Sequence, residues 1–121
     1  MNKDLLIRIL GKENAIKFDD EVYNLRLIIE DLKPFTILKK PINEDESHNF
    51  IEKLMLTSIT IDILSKKLDS ITNYTNSKNY LKKYINGIYL HSNELCNALK
   101  SNSIKDLTYH RNCLADLVLS Y

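Results

Sequence analysis

At 121 residues, with 44% apolar and 27% charged side chains, the chain has the size and composition of one folded domain. A formal net charge of +1 leaves no global field to attract a polyanion, so any case for nucleic acid must rest on local clusters. Two glycines and two prolines are too few turn formers for an all-β chain, and no apolar run is long enough to span a bilayer.

Met1 to Leu10 opens like a secretory signal, but Arg8 breaks the apolar run and no small-residue cleavage site follows, so a soluble, cytoplasmic chain is expected. Leu5, Leu6, Ile9 and Leu10 make this stretch a short amphipathic helix that Gly11 stops. A second helix is expected to open at Phe18-Asp19-Asp20-Glu21, where acids sit well at the positive end of a helix dipole. It would carry Val22, Leu25, Ile28, Ile29 and Leu32 inward until Pro34 ends it. Phe35 to Leu38, between Pro34 and Pro41, reads as an extended connector packed on the rest.

The longest apolar stretch follows. Asn43 is positioned as a cap, with Glu44, Asp45 and Glu46 in the first turn of a helix over about 43–72. Phe50, Leu54, Thr57, Ile61, Leu64, Leu68 and Ile71 recur at steps of three and four, and Ile51, Met55, Ile59 and Ile63 form a second row beside them. Two apolar rows are wider than one neighbour needs, so this helix is expected to be central and covered from two sides. The β-branched run Thr57 to Ile63 alternates as a strand would, but its flanks keep the helical period and no partner strand is at hand.

A third long helix, Lys78 to Lys100, presents Leu81, Tyr84, Ile85, Ile88, Leu95 and Leu99, with Gly87 expected where a neighbouring backbone comes close. After the brief turn Ser101-Asn102-Ser103, a last helix over Ile104 to Ser120 turns Leu107, Leu114, Leu117 and Val118 inward and runs antiparallel to it. The expected fold is all-α: an antiparallel four- to five-helix bundle, one helical domain over 1–121, built around the long central helix.

His91 and His110 lie at similar distances from that turn, each within an apolar seam, so their imidazoles are expected to face each other. Polar rings in such a place must bond to each other, to water or to a bound group. A metal or acid–base site would need more ligands. Asp62 and Glu94 are the nearest candidates, yet the Glu-x-x-His motif of bundle metal sites is absent, so a satisfied polar layer is the plainer reading and no metal or cofactor is expected. Arg111 is expected to snorkel to solvent. Tyr109-His110-Arg111-Asn112 invites comparison with the helical endoribonucleases called HEPN, in which an Arg precedes a His by several residues. Here the order is reversed, and no membership follows.

Tyr74, Lys78, Tyr80, Lys82, Lys83, Tyr84 and Tyr89 interleave aromatics with bases, a pattern suited to a protein hot spot or to stacking on a single strand. Tyr80 and Tyr89 are expected to be exposed with the lysines. The acids Asp19-Asp20-Glu21 and Glu44-Asp45-Glu46 are explained by helix starts, and side by side they would form a patch able to occlude a basic enzyme surface. Cys96 and Cys113 fall out of level by more than a turn, which argues for reduced, buried thiols and against a bridge.

No phosphate loop, nucleophile elbow or HExxH is present, so an enzyme is disfavoured. The expected function is therefore non-catalytic protein binding, as a small inhibitor or immunity-type protein that blocks a toxin or other enzyme. Its contact residues would be Tyr80, Lys83 and Tyr89 with Asp19, Asp20, Glu44, Asp45 and Glu46. The alternatives are an RNA- or nucleotide-acting bundle using His91, His110 and Arg111, and a homo-oligomeric regulator, in the simplest case a homodimer.

Overall fold

The computed structural model describes residues Asn2–Tyr121, which form six helices and no strand: α1 (Lys3–Leu10), α2 (Lys12–Asp31), α3 (Lys33–Thr36), α4 (Glu44–Asp69), α5 (Thr75–Lys100) and α6 (Ile104–Leu119). Helices α2, α4, α5 and α6 pack as a closed ring, α4 on α2 and α5, and α6 on α5 and α2. Each runs antiparallel to its neighbours in the ring. At one end Asp19 of α2 meets Tyr121, which follows α6. At the other, Ser47 of α4 donates to the Leu99 carbonyl of α5 at 3.4 Å. This is an up-down-up-down bundle, with α1 packed on α2, α4 and α5 and α3 packed on α6.

Local chemistry sets most of the boundaries. Asn43 accepts from the Glu46 amide at 2.8 Å and its own amide donates to the Glu46 carboxylate at 3.2 Å, a reciprocal cap that opens α4. Ser103 accepts from the Asp106 amide at 3.3 Å and opens α6. Gly11, at φ +85°, ends α1 and at the same residue begins α2.

Several boundaries differ from expectation. The second helix opens at Lys12, not Phe18, because Ala15 extends the buried row of Phe18, Val22, Leu25 and Ile28 by one turn. Asp19, Asp20 and Glu21 are therefore interior to α2, and the helix dipole does not account for them. Residues 33–36 form a helical turn rather than an extended connector, since a proline is tolerated in a first turn where its missing N–H is not needed. Phe35 is buried there against Phe50, ring centres 5.9 Å apart. The long helix ends at Asp69 rather than near 72, and α5 begins at Thr75 rather than Lys78. A Cβ on Gly87 would meet the Leu117 side chain at 3.3 Å, so a side chain, not a backbone, makes the close approach.

The central helix departs from expectation in a way that bears on function. Phe50, Leu54, Ile61, Leu64 and Leu68 are buried as the first row predicts. The second row is not core: Ile51 is half-buried, and Met55, Ile59 and Ile63 lie in solvent. Its place beside the first row is taken by Ser47, Ser58 and Ser65, small side chains that let α5 come close. Ser65 donates to the Asn86 side chain at 2.8 Å across this contact.

Candidate functional site

His91 of α5 and His110 of α6 face each other, Nδ1 to Nδ1 at 3.0 Å, with ring centres 5.3 Å apart and planes at 41°. At that distance one Nδ1 donates and the other accepts, so the pair holds one proton between these two atoms. The Glu94 carboxylate stands 3.8 Å from Nε2 of His110, and the Tyr109 ring meets that imidazole edge-on at 4.9 Å. Burial, then the neighbouring His110, hold His91 below its ordinary pKa of 6.5, while Glu94 acts in the opposite direction. Asp62 is elsewhere, paired with Lys66 at 2.9 Å. Among the described residues no three His, Cys, Asp or Glu side chains converge as a metal site would require.

Arg111 does not snorkel to solvent as expected. It is 9% exposed, and its Nε donates to the Ile29 carbonyl of α2 at 3.3 Å while Nη1 donates to the Asn112 side chain at 3.2 Å. Successive residues on a helix project about 100° apart, so His110 turns to α5 and Arg111 to α2. The three residues of the nucleotide-acting alternative thus divide between two interfaces of α6.

The aromatic and basic stretch of α5 also divides. Tyr80 and Lys83 are exposed, whereas Tyr89, expected in solvent, is half-buried against the core. Lys82 pairs with Asp69, and Lys78 donates to the Ile71 carbonyl at 2.9 Å, so these two bases tie the start of α5 to the end of α4. The acid clusters lie far apart. Glu21 faces Thr57 of α4, roughly three turns from Glu44, Asp45 and Glu46, so the two do not merge into one patch. Asp19 accepts from the Tyr121 hydroxyl, and Asp20 is exposed. Cys96 is buried and Cys113 half-buried, both free thiols, and burial pushes the Cys96 thiol upward.

Two surfaces stand out that the sequence reading did not assign. The first is the outer face of α4, where Met55, Leu56, Ile59 and Ile63 are 49%, 67%, 57% and 49% exposed. Leu56 also borders a groove of about 420 Å³ between α2 and α4, lined by Glu21, Asn24, Leu27, Asp31, Lys53, Thr57 and Thr60 among others. Burial raises the Glu21 carboxyl above its ordinary range, partly offset by hydrogen bonds from Thr57 and Asn24. The second is a cavity of about 420 Å³ between α2 and α6, onto which Arg111 opens. The sequence carries a partial sign of the first surface, since Ser47, Ser58 and Ser65 step with the core row, but which side of that row α5 covers is decided only in the assembled bundle.

No family model matches the chain, nor does any curated protein or solved structure. No helix among the described residues is long and apolar enough to cross a membrane.

Proposed function

We propose that this protein acts by binding another protein through the outer face of α4 and the adjoining α2–α4 groove, as an inhibitor or immunity-type protein that occludes a basic surface of its partner. The observation that carries the reading is the exposed row Met55, Leu56, Ile59 and Ile63, continued across the groove by Leu27, which is 47% exposed. Large apolar side chains contiguous on a surface and rimmed by polar groups are the usual composition of a protein interface.

The groove supplies charge. Glu21 and Asp31 stand in it against one cation, Lys53. A lysine or arginine from the partner would give Glu21 a counter-charge that its half-buried position lacks, while an apolar anchor beside that base would cover Leu56 and Ile59. Those are the features of a cationic enzyme surface with a hydrophobic rim. Self-association about a twofold axis would set one acidic groove against its copy, which like-charge repulsion opposes. That repulsion favours a different protein as the partner over a second copy of this chain.

Sedimentation of the purified chain, followed by capture of its partner from the native host and assay of that partner's activity with and without the chain, tests the reading. The chain is expected to be monomeric alone, to form a stoichiometric complex, and to suppress the partner's activity. A dimer that buries Ile59, detected as loss of its side-chain accessibility at high concentration, would contradict it in favour of a homo-oligomeric regulator. A captured partner whose activity is untouched would leave binding in place and remove inhibition.

A further inference from the structure

Arg111 is the one strongly buried charged side chain among the described residues, and no carboxylate lies within ion-pairing distance of it. A guanidinium has five N–H donors in a planar fork. Two are used, on the Ile29 carbonyl and the Asn112 side chain, and the rest have no protein acceptor. The residue opens onto the cavity between α2 and α6, which also receives Arg26 and Lys33. The single acid there, Glu30, is held by Lys33 at 2.9 Å. Arg26 donates to the Val118 carbonyl at 3.3 Å, which fixes its guanidinium at the cavity rim. Three cations thus meet one carboxylate around a recess whose α6 wall is apolar, formed by Ala115 and Val118.

We propose that this cavity binds a small organic anion, its carboxylate or phosphate oxygens on the free edge of Arg111 and its apolar portion against Ala115 and Val118. The unused donors of Arg111 face the recess, where solvent reaches them, and a bidentate oxyanion would replace that water by accepting from them in the geometry the fork presents. Arg26 supplies a second positive charge at the rim, while Lys33 is paired with Glu30. The volume of about 420 Å³ is enough for a ligand of small-metabolite size. The site lies on the α2–α6 side of α2 and does not depend on the α4 docking face.

The test uses the full chain and follows the Nε–Hε signal of Arg111 by NMR as inorganic phosphate, acetate or hexanoate is added at constant ionic strength. Saturable movement of that signal is expected for at least one oxyanion class. A response to phosphate alone identifies a phosphate ester as the ligand class. Hexanoate binding at least roughly tenfold tighter than acetate identifies an apolar carboxylate, since each buried methylene adds to affinity. Leu119→Glu, at an exposed rim position, places a fixed carboxylate beside the cations and is expected to weaken binding about tenfold without unfolding the chain. Arg26→Gln is expected to weaken it severalfold. Absence of saturable movement with every probe up to tens of millimolar overturns the proposal, as does equal affinity in the wild type and Leu119→Glu. Arg111→Lys keeps the charge and loses the fork; should it fail to fold, the two rim variants still decide.

Discussion

Both faces of α4 carry large apolar side chains, one row buried and one in solvent. Toward α5 it buries Ser47, Ser58 and Ser65 beside Leu54, Ile61 and Leu68, while toward solvent it carries Met55, Leu56, Ile59 and Ile63. The difference shows that hydrophobicity does not by itself assign a helix face to the core: where two helices approach closely, small side chains are needed, and larger apolar ones are left outside. An apolar row that the fold does not use is the feature from which the proposed function follows.

The largest effect that would sharpen this contrast comes from truncating one residue on each face. Leu54→Ala removes a fully buried side chain and is expected to cost about 3 kcal/mol in urea unfolding. Ile59→Ala is expected to change stability by no more than about 0.5 kcal/mol. A loss of comparable size at Ile59 would place the outer row in the core and break the comparison.

Ser58 offers the next largest effect, with opposite sign. Its Oγ is buried without a hydrogen-bond partner. Ser58→Ala removes an unsatisfied hydroxyl while keeping the small volume, so a gain of about 1 kcal/mol is expected. A loss would mean that the hydroxyl is bonded, for instance through a buried water.

Glu21 sets the groove against the core in the same way. Burial raises its folded pKa above the ordinary 4.5, so the folded state is unpenalised below that value and loses stability as pH rises through the raised one. Glu21→Gln should therefore melt higher than the wild type at pH 7, by less than the roughly 4 °C that 1 kcal/mol gives a domain of this size, and equally in acid. Equal melting at both pH values would show that the carboxylate is not strained in the groove.

The smallest effect concerns the ring pair. His91 is held below its ordinary 6.5 in the fold, chiefly by burial and then by His110. The neutral form is favoured, so the contribution of His91 to stability is complete above pH 6.5 and is lost as pH falls through the lowered folded value. Facing it are His110 and, on its own helix, Glu94, with Tyr109 against the far side of His110. The urea midpoint should fall on going from pH 7 to pH 5, and fall less in His91→Gln. An identical pH response in the variant would contradict the assignment.

What could be read from the sequence follows from where side chains alone fix the backbone. Asn43 with Glu46, Ser103 before Asp106, and Gly11 each mark a helix end by local chemistry, and the brief turn at Asn102 sets the register that brings His91 to His110. The start of α2 is not legible in the sequence because Gly11 restarts the helix with no side-chain cap, which leaves the acids at 19–21 as the strongest local sign of a first turn. Pro34 was ambiguous for a similar reason, since it can end one helix or sit in the first turn of the next. The fate of Met55, Ile59 and Ile63 depends on how closely α5 packs, and that of Arg111 on where α2 lies, both of which are properties of the assembled bundle. Neither candidate surface is a property of one helix.

The most direct measurement is the affinity of the captured partner for a chain carrying Leu56→Asn and Ile59→Asn, both at exposed positions, which removes the apolar contacts without adding charge. Loss of at least roughly thirtyfold in affinity with the wild-type melting temperature is the predicted result, in keeping with two central apolar contacts. Undiminished affinity in the folded double variant would contradict the assignment of the outer face of α4 as the docking surface.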